Sequence, residues 1–170
     1  MTEGGASGIP AATPTGGGKG MYQRFVRAKV RSTFEKINSG DYMAMVDGLA
    51  PSFEYRFHGD HALGGRRTSR DAMIRWWQRV MKLLPGVRFD VHDVLVSGGP
   101  WRTMVAVRSS VSGDLPGGIR YENTVFQLMT LVWGKVTSVE TIEDLQILER
   151  ALRAVAETGE AEAVAGPIDG

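Results

Sequence analysis

The sequence predicts an α+β domain in which helices pack against a strongly twisted, mostly antiparallel sheet. Three observations lead there. Residues 22–38 and 69–84 carry apolar side chains at helical spacing. Four later stretches alternate apolar and polar residues between short turns, and short connections make antiparallel neighbours. A last amphipathic stretch, 144–156, follows the strands directly. Helices set apart from the strands in this way define the class.

Residues 1–20 hold seven Gly and two Pro with almost no large apolar side chain, so they are expected as a disordered tail. No basic stretch precedes an apolar run there, so a signal peptide is not expected. Tyr22, Phe25, Val26, Val30, Phe34 and Ile37 share one helical stripe. Asn38-Ser-Gly-Asp41 stops that helix, Gly40 suiting a left-handed cap and Asp41 the start of a short helix through Val46. After Leu49-Ala-Pro51, Phe53–His58 alternates as a strand, with the aromatics on one face and Glu54, Arg56 and His58 on the other. Residues 59–65 read as a loop or a very short hairpin. Thr68 and Asp71 match a capping box for a helix from Ser69 to Leu84, with Trp77 inward and Trp76 on a flank, ended by Pro85-Gly86. Strands follow at 87–97, 101–111, 119–133 and 135–143. Residues 21–156 make a single domain of common size. Residues 157–170, with four acids and no base, read as an acidic flexible tail.

The chain has no cysteine, which excludes disulfides, thiolate nucleophiles and Cys-ligated metals. No apolar run is long enough to cross a bilayer, and neither a membrane nor a nucleic acid is expected as a partner. Formal net charge is +1 with both signs mixed, and the densest basic cluster, Arg66-Arg67 with Arg70, reads as a solvated loop. A cytoplasmic protein is the expectation.

Five motifs in order carry a resemblance: Ile37-Asn-Ser-Gly-Asp-Tyr42, Leu63-Gly-Gly65, Pro85-Gly-Val-Arg-Phe89, Trp133-Gly-Lys-Val136 and Glu143-Asp-Leu-Gln-Ile-Leu148. Over about residues 24–153 the chain resembles the NTF2-like superfamily, in its SnoaL-like and ketosteroid-isomerase-like branches. The resemblance implies a cone-shaped curved sheet wrapped around helices, an internal pocket, and often a dimer through the outer face of the sheet. Members include isomerases, polyketide cyclases, dehydratases, epoxide hydrolases and proteins that only bind, so the fold leaves function open.

By that resemblance Asp144 matches an acid/base carboxylate at the end of the last strand; its other reading is the N-cap of the last helix. In an unbroken strand Glu140 shares a face with Val136, Ile142 and Asp144, while Glu143 points the other way. Glu140 either assists Asp144 in a pocket or pairs with a base on a neighbouring strand. His58, at the end of the first strand, suits a neutral proton-shuttling role. With Asp60 and His61 it lacks a placeable third ligand, so no metal is expected. His92 reads as surface or structural. Arg108 keeps one element of the limonene-type epoxide hydrolase pattern without its second acid; a hairpin turning near Leu115 would set it against Glu122 as an ion pair. Tyr121 and Asn123 share a face and could donate to a carbonyl or enolate oxygen, or lie at the strand edge. Trp77 and Tyr55 complete the substrate-binding candidates, although Tyr55, with Phe53 and Phe57, reads first as core.

The expected function is a cofactor-independent isomerase or cyclase. It would use carboxylate acid–base chemistry on a hydrophobic carbonyl-containing molecule of polyketide-, steroid- or terpenoid-like type. The alternative is a non-catalytic ligand-binding or dimeric scaffold protein. A homodimer is expected in either case.

Overall fold

The computed structural model describes residues 17–170. Of the expected disordered tail, residues 1–16 lie outside the described residues, and Gly17–Gly20 already belong to the first helix. The elements are α1 (Gly17–Asn38), α2 (Met43–Val46), β1 (Leu49–Phe57), β2 (Gly65–Arg67), α3 (Arg70–Leu83), β3 (Arg88–Gly99), β4 (Arg102–Leu115), β5 (Ile119–Val132), β6 (Lys135–Glu143) and α4 (Leu145–Glu157), then a short 3-10 turn, Ala161–Val164. The strands form one curved six-stranded sheet in the order β2-β1-β6-β5-β4-β3. The β3–β6 meander is antiparallel, β2 makes the short hairpin with β1, and β1 runs parallel to β6.

Alternation decides which face is buried. In β4 and β5 the odd-numbered positions Val105, Val107, Val111, Tyr121 and Val125 point inward onto the helices. Helix α1 lies along β3, tied by Arg27 Nε to the Val94 carbonyl and by a reciprocal pair between the Asn38 amide and the Phe89 backbone. Helices α3 and α4 close the other side with Met73, Trp76, Trp77, Val80, Leu148, Leu152 and Val155. Register shifts between Val91 and Asp93 in β3, and between Thr130 and Leu131 against β6, accommodate the curvature.

Four local expectations change. Ser69, not Thr68, caps α3, accepting from the Ala72 N–H, while the Thr68 N–H donates to the Gly170 carbonyl. Trp76 is buried, its Nε1 donating to the Leu63 carbonyl. Of the basic cluster, Arg66 and Arg70 pair with Glu54 and Asp47 on the surface. Arg67 is fully buried against the Tyr55 and Trp76 rings and donates to the Gly64, Gly65 and Ile168 carbonyls. Those last bonds correct the reading of 157–170 as a free acidic tail. Glu162 pairs with Arg79 and Lys82, and the Arg66 N–H donates to Asp169, so the acids meet bases on α3 and backbone on β2.

Candidate active site

Between the concave face of the sheet and helices α1 and α3 lies a cavity of about 380 Å³, within the usual range for small-molecule sites, about 300–1,000 Å³. Most of its wall is apolar: Phe34, Leu49, Phe57, Trp77, Val87, Phe89, Val125, Met129 and Val139 all line it. Its charged lining residues fall into two groups. Lys29, Lys36, Asp41, Asp47 and Lys135 are exposed and mark the mouth. Glu143 is buried at the other end of β6, roughly 25 Å of strand away.

Glu143 does not stand alone. The Tyr121 hydroxyl lies 3.1 Å from both carboxyl oxygens and donates to them. Tyr121 is itself buried and lines the cavity. Nearby, Gln127 Nε2 donates to Thr141 Oγ1, which donates to the Tyr55 hydroxyl. The result is a small polar end to an apolar chamber. Burial raises the Glu143 carboxyl to about 8; the Asp144 charge adds to this, and the Tyr121 hydrogen bond works against it. Burial, and the neighbouring Glu143 charge, also push the Tyr121 phenol upward, and burial does the same to Tyr55.

The expected sites divide cleanly. Tyr121, Tyr55 and Trp77 line the cavity. Trp77 forms its wall, with its ring stacked on Tyr42 at 6.0 Å. Asn123 is buried beside it with a different task. Its Nδ2 donates to the Asp144 carbonyl and its Oδ1 accepts from the Asp144 N–H, which continues the β5–β6 ladder where β6 turns into α4. It also holds the Tyr121 hydroxyl at 3.4 Å. Asn123 therefore fixes the junction that places Glu143.

Asp144, Glu140, His58 and Arg108 are not at the cavity. Asp144 is exposed and caps α4, its Oδ1 accepting from the Gln146 and Ile147 N–H groups. Glu140 faces outward and meets His58 at 3.3 Å across the parallel β1–β6 pair. Arg108 is also on the outer face, opposite Phe126 and bonded to Asp93 rather than Glu122. The β4–β5 hairpin pairs Leu115 with Ile119, so it turns two residues beyond Leu115 and sets Glu122 against Ser112.

One extra residue decides which acid of β6 faces inward. The Trp133–Gly134 turn pairs Val132 with Lys135, and a continuous ladder from there would set Val125 opposite Ile142. Instead Leu131 pairs with Val136 and Thr130 with Ser138, leaving Thr137 as a bulge. Beyond it Val139, Thr141 and Glu143 turn inward, and Glu140 and Ile142 outward. Glu143, Gln127 and Thr141 were the residues missed. The only signal for Glu143 was an acid beside Asp144, with no mark of the bulge.

His61, which with His58 lacked a third ligand for a metal, is buried. It bonds the His58 carbonyl through Nε2 and the Leu63 N–H through Nδ1, which assigns a neutral ring, and burial lowers its pKa. Among the described residues no cluster of three or more His, Cys, Asp or Glu is arranged to hold a metal ion.

The SnoaL-like domain profile matches residues 30–139. The chain belongs to the SnoaL-like family. A search of curated proteins finds no match. Solved structures of the same fold include PrhC from Penicillium brasilianum, at 16% identity and TM-score 0.70, covering 84% of this chain and 95% of that one. A candidate SnoaL-like polyketide cyclase from Jannaschia sp. CCS1 is similar at 17% identity and TM-score 0.63, covering 84% and 96%. IdmH, a candidate polyketide cyclase from Streptomyces antibioticus, is similar at 21% identity and TM-score 0.61, covering 75% and 98%. At these identities the likeness shows the fold.

Proposed function

We propose that the chain is a cofactor-independent isomerase or cyclase acting on a hydrophobic, carbonyl-containing molecule of polyketide, steroid or terpenoid type, with Glu143 as its acid–base group. One observation carries the reading: a carboxyl buried at the inner end of an apolar cavity, held by a buried phenol. A group titrating near 8 is about one-tenth ionised at pH 7, so both its forms are present under working conditions. As carboxylate, Glu143 takes a proton from a carbon next to the substrate carbonyl. The electron pair moves onto the carbonyl oxygen, and the Tyr121 O–H, released from Glu143 as that group takes the proton, turns to donate to it. The proton returns from Glu143 to another carbon, which completes an isomerisation, or the enolate carbon attacks a second carbonyl to close a ring and Glu143 gives its proton to the alkoxide that forms. Asn123 positions, and Trp77 and Tyr55 shape the chamber. Family membership and the fold shared with candidate polyketide cyclases support this substrate class.

The test is turnover of Glu143→Gln on a panel of aromatic and terpenoid ketones and polyketides. The variant is expected to bind a ligand the wild type turns over, with turnover lost; unchanged turnover overturns the assignment. A binding-only protein is the second reading, favoured by the lone carboxyl at the inner end of the cavity. It predicts a ligand retained through purification and recovered chemically unchanged. We also propose a cytoplasmic homodimer joined through the outer sheet face, where Leu95, Met104, Phe126, Leu128 and Ile142 are exposed.

A further inference from the structure

A second apolar surface lies away from the outer sheet face, at the end of the molecule that carries the cavity mouth. Two contacts bring its parts together. The Tyr22 hydroxyl on α1 meets Thr103 Oγ1 just past the β3–β4 turn, and the Trp133 N–H in the β5–β6 turn donates to the Pro100 carbonyl. The start of α1 and both turns therefore share one end. Trp133 and Met21 are 73% exposed there, Phe25 67% and Trp101 65%. Phe25 precedes Lys29 by one helical turn, and Lys29, Gly134 and Lys135 line the mouth.

Trp133 is the most telling of these. It occupies the first position of a two-residue turn with Gly134, at φ 50 followed by φ 75. Such a turn favours Asn or Gly, and a bulky side chain there is strained. The indole is turned out to water, so the strain gains nothing for the core; function is the better account.

The turns and the start of α1 carry charge of one sign. Residues 17–34, 94–113 and 123–139 contain no Asp or Glu. Within them Arg24, Lys29, Arg102 and Lys135 are exposed and make no ion pair among the described residues. Two acids also mark the mouth: Asp47, whose carbonyl accepts from Lys135, is held by Arg70, and Asp41 accepts from the Ala44 N–H. Amphipathic indoles ringed by unpaired cations match the headgroup layer of an anionic bilayer, where tryptophan and arginine anchor surface-bound proteins.

We propose that this end docks on an anionic lipid surface, with Trp101, Trp133 and Phe25 at headgroup depth and the basic residues on lipid phosphates. The cavity mouth then faces the bilayer, and an apolar ligand enters without crossing water. The sequence expectation of no membrane partner rested on spanning length, which a surface contact does not require. No helix of the described residues is long and apolar enough to cross a membrane.

The test is vesicle flotation of the full chain, with phosphatidylcholine vesicles and with vesicles enriched in phosphatidylglycerol. Binding is expected to the anionic vesicles only, weakened by salt, with a blue shift of tryptophan emission. Trp133→Asn suits the turn and should keep the fold; combined with Trp101→Gln it is expected to abolish flotation at an unchanged melting temperature. Arg24→Gln with Arg102→Gln should weaken partitioning by about tenfold or more. Equal recovery with neutral and anionic vesicles, or full binding by the tryptophan double variant, would overturn the proposal. So would a wild-type oligomer that this double variant dissociates, since the patch would then join two copies of the chain.

Discussion

Replacing Glu143 by Gln keeps the shape of the side chain and an acceptor for Tyr121 while removing the ionisation. In the folded protein this carboxyl titrates near 8 against an ordinary 4.5, so the fold binds its proton more tightly than the unfolded chain does. Its contribution to stability is fully present below about pH 4.5 and is lost as pH rises through about 8. At about 1.4 kcal/mol per pH unit the loss approaches about 5 kcal/mol, a large part of the stability of an ordinary domain. Urea unfolding of both proteins between about pH 5 and pH 9 reads it directly. Every other titrating group, His61 included, is common to both proteins, so relative to Glu143→Gln the wild type is expected to weaken with rising pH and the stability gap to widen by several kcal/mol in the variant's favour. Parallel curves for the two proteins would refute the buried-acid reasoning.

Three further outcomes follow from the same geometry. Tyr121→Phe removes the hydrogen bond that lowers Glu143, so the carboxyl should titrate above 8 by NMR and turnover should fall by about a hundredfold. Asp144→Ala removes a helix cap and should cost about 1 kcal/mol in urea unfolding with little change in turnover; a collapse of turnover would return the catalytic role to Asp144. Phe126→Glu with Leu128→Glu places charge on the exposed sheet face and should yield monomers by light scattering if that face joins the dimer.

The order of helices and strands was legible because long amphipathic periods and turn residues are local signals, and the Trp-rich α3 and the β3–β6 meander lie close to the expected positions. The polar residues of the site were harder to place. Tyr121 had a pocket reading beside a strand-edge one, whereas Glu143 depends on a bulge at Thr137, and a one-residue slip reverses every side chain beyond it. Nothing in Val136-Thr-Ser-Val139 marks that bulge, which follows from bending the sheet around the helices. Asp144 shows the converse: its capping role is local and was one of its two readings. The docking of 158–170 against Arg67 and Arg79 depends on contacts across most of the chain's length, which no local pattern carries.

The central claim is that one carboxyl sits dry at the inner end of an apolar chamber. A carbon-13 NMR pH titration of the side-chain carboxyls, with Glu143→Gln used to assign the resonance, measures it without needing a substrate. A midpoint for Glu143 near 8 is predicted. A midpoint near 4.5, with the other glutamates, would contradict it.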